Sequence, residues 1–160
     1  MQKLLIVCLL FAALCVSMGC DKAVPPADAS ASSSQEKEQI TLKQKKSVEI
    51  RAGGKTFLVK LEDNEAARAF SATLPLTVTM TELNGNEKYY RLPERLPSSD
   101  QNVGTIHTGD LMLYNGNCIV LFYRDFSTSY SYTRLGRVEN PAGLAEALGT
   151  GDAPVAFDLH

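Results

Sequence analysis

The sequence predicts a mainly β domain whose strands close into a barrel, accompanied by two short helices. Many short segments between residues 48 and 159 alternate apolar and polar side chains or run apolar, as strands do. Asn115 and Gly116 stand between two such runs, and Asn-Gly is the strongest short-range signal for a hairpin. Only two short segments have a helical pattern. This mixture favours a closed barrel over a parallel sheet.

The domain begins with a predicted hairpin followed by a helix. Strand segments 48–50 and 57–61 flank two glycines at 53–54, which suits a tight connection. Asp63 is the expected N-cap of a helix whose apolar residues recur at helical spacing until Pro75. The chain therefore places its first helix directly after its first pair of strands.

The middle of the domain is predicted to contain two strands and a loop. Residues 76–80 alternate as a strand, 83–86 mark a turn, and 88–91 form a further short strand. Prolines and serines in 93–99 then predict a long surface loop.

The last third contains the clearest strands. Residues 110–114 and 118–123 form the hairpin joined by Asn-Gly. Asn140 is the expected N-cap of a second short helix that ends before Gly149. Residues 155–159 alternate as the final strand.

Residues 1–19 are predicted to be a secretory signal peptide. Lys3 precedes an apolar run over 4–16, and the small residues Ser17 and Gly19 follow it. The run is shorter than the roughly 20 apolar residues that a membrane-spanning helix needs. We therefore expect cleavage rather than a permanent span.

The residues around the cleavage site resemble the lipobox of bacterial lipoproteins, in which the cysteine is acylated and becomes the first mature residue. Here that residue is Cys20, and 20–46 reads as a flexible linker rich in Pro, Ala and Ser. The resemblance implies a lipoprotein of the bacterial cell envelope, anchored to membrane lipid and facing the periplasm or the exterior. Ordinary cleavage, which would release a soluble secreted protein, stays open because Ser17 and Gly19 also suit it.

Charge and cysteine content limit the partners. From Val48 onward the chain has ten Lys or Arg against fourteen Asp or Glu, so no nucleic acid partner is expected. Cys8 and Cys15 leave with the signal peptide and Cys20 is the predicted lipidation site. Cys118 then has no partner for an intrachain disulfide and is interpreted as a small buried residue. No cofactor and no metal site are predicted.

Several of these segments together resemble the small bacterial cyclophilin-like domain family. The segments are 109–114, 121–123 and 129–136, with Leu74 and Pro75 after an alanine-rich helix. The resemblance spans the predicted domain at 47–160. It implies a closed eight-stranded barrel with a helix closing each end.

Isomerase activity does not follow from this resemblance. Cyclophilin-type prolyl isomerases carry a Phe-His-Arg segment whose arginine polarises the prolyl amide, which lowers a barrier of about 18 to 20 kcal/mol. That segment is absent: His107 lies between Ile106 and Thr108, without a neighbouring arginine. His107 is interpreted as a loop or strand-end residue, and no catalytic residue is assigned.

Residues 127–133 carry a hydroxyl on every side chain and raise the question of a ligand site. If 129–137 form a strand with Leu135 inward, period two turns Tyr130, Tyr132 and Arg134 outward. The resemblance adds that the cyclophilin binding groove also lies outside the barrel. The alternative is that the tyrosines only stabilise the sheet by cross-strand pairing.

Three further residues complete the predicted ligand site. Arg124, directly after Tyr123, either forms a surface ion pair with Asp125 or contacts a ligand at one end of the groove. Glu87 stands where the resembled family commonly has a Glu-Lys-Tyr stretch, and we expect it at the groove edge.

These residues predict a non-catalytic binding module that takes a peptide segment or a small molecule on the outer face of the barrel. Two alternatives remain. One is a divergent prolyl isomerase with a differently placed arginine, and the other is an accessory subunit that contacts an envelope protein within a membrane complex.

Overall fold

The computed structural model describes residues 47–160. The predicted signal peptide, linker and acylation site at Cys20 lie outside the described residues. Within residues 47–160, no helix is both long enough and apolar enough to cross a membrane.

The described residues form eleven strands and two helices. The strands are β1 (Ser47–Ala52), β2 (Lys55–Leu61), β3 (Leu76–Leu83), β4 (Glu87–Arg91), β5 (Gln101–Asn102), β6 (Thr105–Ile106), β7 (Asp110–Tyr114), β8 (Cys118–Phe122), β9 (Phe126–Ser127), β10 (Ser131–Val138) and β11 (Ala153–Leu159). The helices are α1 (Glu65–Ala72) and α2 (Leu144–Leu148).

Eight of the strands form a closed antiparallel barrel, which confirms the predicted fold class. Their order is β2, β1, β11, β3, β4, β8, β7 and β10, and β10 pairs again with β2. Gly136 lies at this closure, directly opposite Leu61. A Cβ added there would lie 2.5 Å from the Lys60 carbonyl oxygen, so only glycine lets the two strands approach this closely.

The Asn-Gly hairpin is present between β7 and β8. Asn115 and Gly116 both have positive φ, 48° and 72°, which are the left-handed conformations that such a turn requires. Tyr114 and Cys118 pair directly across it.

Two apolar clusters lie on opposite sides of the barrel wall. On β8, Ile119 and Leu121 belong to the interior core, while Cys118, Val120 and Phe122 point outward. Both helices bury residues in the interior core, where the ring of Phe70 from α1 meets that of Phe157 at 5.8 Å. The outer cluster also includes Ile106, Met112 and Tyr132, and part of the 101–106 and 126–127 chain covers it.

Both helix starts differ from the prediction. Asn64, not Asp63, caps α1, because its Oδ1 accepts a hydrogen bond from the Ala67 amide at 2.8 Å. Asn140 does not cap α2; its Oδ1 accepts from the Ala142 amide at 3.2 Å. The left-handed conformation of Gly143 delays the helix to Leu144.

The strand bounds also differ in the second half. The predicted strand at 129–137 lies at Ser131–Val138, so Tyr130 precedes it. A bulge between Arg134 and Gly136 interrupts strict alternation there. The sequence analysis did not predict the two-residue strands β5, β6 and β9, because they are too short to show periodicity.

Candidate binding groove

A groove of about 480 Å³ lies on the outer face of the barrel, over β4 and β8. We call it the outer groove. On β4, Glu87, Tyr89 and Arg91 alternate outward and line it, each paired with an outward residue of β8. Cys118 and Val120 of β8 complete the floor. The volume is in the range typical of small-ligand sites.

The hydroxyl-rich run forms much of the opposite wall. Ser127, Thr128, Ser129, Tyr130 and Tyr132 all line the outer groove. The run is thus part strand and part groove wall, since only its last residues belong to β10.

Aromatic rings pack edge-on or tilted against one another along this wall. The ring of Tyr114 lies 6.1 Å from that of Tyr130 and 5.5 Å from that of Tyr132, measured between centroids. Tyr132 also packs edge-on against Phe122 at 5.5 Å. Tyr132 is buried, whereas Tyr130 is 61% exposed and presents its ring to solvent. The wall therefore offers a rigid aromatic surface.

Glu87 is the most unusual group of the outer groove. It is only 9% exposed, and its carboxylate has no hydrogen bond or ion pair with any residue in 47–160. Burial, together with the nearby charge of Glu82, raises the pKa of Glu87 to about 7. A carboxylate in this state is close to half ionised at neutral pH.

No polar neighbour of Glu87 within residues 47–160 compensates the charge of its carboxylate. Within the described chain the Asn86 Oδ1 atom is buried and accepts no hydrogen bond, although Asn86 lines the same groove. Burial raises the pKa of the Cys118 thiol and raises the pKa of Tyr132 to about 12, so both are neutral near pH 7. Arg91 is exposed at the other end of β4 and forms no ion pair with Glu87.

The structure brings together three of the six predicted ligand-site residues, Glu87, Tyr130 and Tyr132. Tyr123 belongs instead to the interior core, and its hydroxyl donates a hydrogen bond to the Glu82 carboxylate at 2.7 Å. Arg124 is exposed and lines neither described concavity. The expected partner of Arg124, Asp125, accepts hydrogen bonds from Thr108 instead. A ligand contact for any of the six stays a prediction.

Arg134 lines a second concavity of about 650 Å³ between the start of α1 and the 97–103 chain. Several of its polar groups are paired with one another. Asn64 donates to the Arg134 carbonyl oxygen at 2.8 Å, and the Thr133 hydroxyl donates to Asp100 and accepts from the Ser99 amide. Because these groups already have partners, this concavity is the weaker candidate for a ligand site.

The sequence analysis missed a buried polar cluster inside the wall, which we call the Lys88 cluster. Lys88 is fully buried, and its Nζ donates to Glu82, to the Gly149 carbonyl at 2.9 Å and to the Gly151 carbonyl at 2.5 Å. Burial raises the pKa of Glu82, but hydrogen bonds from Lys88, Tyr123 and the Gly85 amide outweigh it, so the pKa of Glu82 is lowered. Every charge in this cluster has a partner.

His107 lies outside the outer groove. It is half exposed, and its Nδ1 is 3.9 Å from the buried Asp110 carboxylate, whose closer partner is the Arg137 Nε at 2.6 Å. In the part of the chain that the structure describes, no three His, Cys, Asp or Glu side chains are grouped as metal ligands.

A family model described as the cyclophilin-like family matches residues 50–158. The chain belongs to this family. Among solved structures it is similar to a hypothetical protein of Archaeoglobus fulgidus known from a solution structure, with a TM-score of 0.51 and 21% identity. That similarity covers 72% of this chain and 95% of the other, and it concerns the fold alone. No curated protein matches the chain significantly.

Simple alternation along β4 finds most of the groove floor. Once Glu87 is taken as outward, period two also selects Tyr89 and Arg91. Asn86 and Tyr114 carry no comparable signal, because they lie at strand ends where the turn decides the direction of the side chain.

Proposed function

We propose that this cyclophilin-like chain is a non-catalytic binding module of the bacterial envelope, held to the membrane by lipid on Cys20. Its ligand, a peptide segment or a small molecule, occupies the outer groove. The observation that supports this is Glu87, a residue only 9% exposed whose carboxylate has no partner among residues 47–160 and which lines a groove of ligand size. An unpaired buried polar group costs free energy, and a bound ligand recovers that cost.

Binding is tested with an array of random decapeptides and a small-molecule library, probed with the full chain in detergent. Tyr130→Ala removes an exposed ring of the groove wall and should weaken the binding of selected ligands about tenfold. Leu159→Ala is the matched control, since Leu159 is 44% exposed and does not line the groove. No ligand in either library, or equal affinity in all three proteins, contradicts the proposal.

The anchor is tested separately by Cys20→Ala. Loss of the acylated thiol should move the protein from the membrane fraction to the soluble fraction of the cell, because no second anchor is predicted. The wild-type chain and Tyr130→Ala, fractionated in parallel, should both stay with the membrane. Unchanged partitioning of Cys20→Ala refutes the lipoprotein assignment.

A divergent prolyl isomerase is the second candidate, and Arg91 is the observation in its favour. Arg91 lines the outer groove, so its guanidinium is the one placed to reach a bound prolyl amide, whereas Arg124 does not line it. A protease-coupled isomerisation assay with wild type, Arg91→Ala and Arg124→Ala decides this. Acceleration that only Arg91→Ala abolishes supports an isomerase, and no acceleration removes it.

A further inference from the structure

The outer groove is chemically asymmetric along β4. Glu87 lies at one end and Arg91 at the other, four residues apart on the same face. At about 3.3 Å per residue this is a span of about 13 Å, which about four extended ligand residues would fill. Aromatic rings line the wall opposite Glu87, and the Glu87 carboxylate lacks a hydrogen-bond donor within residues 47–160.

We infer that the outer groove takes an extended peptide segment whose lysine or arginine side chain pairs with the Glu87 carboxylate beside the tyrosine wall. This inference rests on the proposed binding function and narrows its ligand class. An ammonium or guanidinium group carries several N–H donors and a positive charge, and both suit a carboxylate that has no other partner in residues 47–160. Its charge also gains from the faces of the tyrosine rings.

No cationic side chain of residues 47–160 pairs with Glu87. The nearest buried ammonium, that of Lys88, points to the opposite side of the wall and is fully used by Glu82, Gly149 and Gly151. A hydrogen-bonded ion pair in a buried site is stronger than a neutral contact, so a cationic side chain gains more here than a neutral one. The positive charge of Arg91 repels a second cation at the far end of the groove. A cationic side chain of the ligand is therefore favoured only beside Glu87.

Binding by this contact must release a proton below neutral pH, because only the ionised carboxylate pairs with a cation. The groups near enough to influence the charge of Glu87 are Glu82 from β3 and Tyr123 on the inner side of the wall, Cys118 from β8 and Tyr132 from β10 on the outer side, and Arg91 on β4 itself. The pKa of Glu82 is lowered and those of Tyr123, Tyr132 and Cys118 are raised. These four therefore keep one charge state between pH 6 and pH 8, while Glu87 changes.

The test uses the decapeptide array with the full chain in detergent, followed by titration calorimetry on the strongest peptide. We expect lysine and arginine to be enriched among bound peptides. Replacing the essential lysine by norleucine or acetyl-lysine should weaken binding about 10- to 100-fold. Glu87→Gln should weaken it to the same degree, while Glu94→Gln, which removes the same charge from an exposed loop position outside the groove, should not.

The pH dependence gives a second readout that does not depend on folding defects. For a carboxyl with a pKa of about 7, wild-type affinity should fall about tenfold from pH 8 to pH 6. Glu87→Gln should show a flat profile. A flat wild-type profile overturns the inference.

The outcomes separate the two proposals. Peptides that bind in a Tyr130-dependent way without cationic enrichment, or equally to Glu87→Gln and wild type, overturn the cation inference and leave the binding function standing. Spermidine, a small polyamine cation, is tested alongside the peptides. If it binds wild type but not Glu87→Gln while no peptide binds, the peptide assignment is wrong. Absence of any binding overturns both.

Discussion

Glu82 and Glu87 lie on neighbouring strands and have opposite surroundings. Glu82 points inward with Lys88 and Tyr123, whereas Glu87 points outward into the outer groove. The same side-chain type has a lowered pKa in the first case and a pKa raised to about 7 in the second. The paired carboxylate of Glu82 stabilises the barrel, whereas the unpaired carboxylate of Glu87 is available to a ligand.

The largest expected effect concerns the paired region. Lys88→Met should lower the free energy of unfolding by about 3 to 5 kcal/mol, because it leaves the partly buried Glu82 carboxylate without its cation and two carbonyls without their donor. Urea unfolding at pH 7 measures this loss. Lys60→Met, an exposed site on β2, is the control and should change stability by less than about 0.5 kcal/mol. Equal losses in the two variants would show that the Lys88 cluster does not stabilise the fold.

The second prediction has the opposite sign and concerns the unpaired region. The pKa of Glu87 is about 7 in the folded protein against an ordinary value of 4.5, so the folded state binds more protons between these two values. The titration of Glu87 should therefore lower the free energy of unfolding as pH rises from 4.5 to 7, by up to about 3 kcal/mol at about 1.4 kcal/mol per pKa unit.

Glu87→Gln lacks this titration and isolates its contribution. The stability of the variant minus that of the wild type should increase from pH 4.5 to pH 7 and then level off. Urea unfolding of both proteins across this pH range provides the measurement, and Glu94→Gln should track the wild type. A constant difference between Glu87→Gln and wild type would mean that Glu87 is not held in an unfavourable environment.

The sequence was sufficient for the barrel because its signals are local or come from the family resemblance. Asn115 and Gly116 specify a hairpin by their own backbone preferences, and the alternation of β10 correctly turned Tyr132 and Arg134 outward. The closure of β10 on β2 depends on a contact between distant segments, with Gly136 at the seam. Periodicity predicted eight strand segments, the number that the resemblance also implies, but no local pattern showed which two strands meet at the closure.

Only half of the predicted ligand-site residues line the outer groove, because the burial of a side chain depends on its tertiary partners. Glu87 and Lys88 are adjacent charged residues, which on sequence alone suggest an exposed strand, yet both are buried on opposite faces. Arg124 follows the apolar end of β8 and looked well placed, but the chain turns there and leaves it outside both concavities. No local pattern shows which charges the rest of the fold will cover.

The smallest expected effect compares two tyrosine hydroxyls, one in each region. Tyr123→Phe removes the hydrogen bond to Glu82 and should cost about 1 kcal/mol at pH 7. The pKa of Glu82 should also rise, because the Tyr123 hydroxyl is one of the donors that lower it. A carboxyl with a lowered pKa stabilises the fold above its unfolded pKa and loses that contribution as pH falls through its folded pKa, so the variant should lose it at a higher pH.

Tyr130→Phe is the matched change on the groove wall and should leave stability unchanged within about 0.5 kcal/mol, since Tyr130 is 61% exposed and its hydroxyl bonds to no described residue. Acid titration of both variants by circular dichroism should therefore shift the unfolding midpoint for Tyr123→Phe alone. Equal midpoints would mean that the hydroxyl of Tyr123 adds nothing to the pairing of Glu82. The contrast between the two glutamates would then depend on Lys88 and the Gly85 amide, the remaining described groups that donate to Glu82.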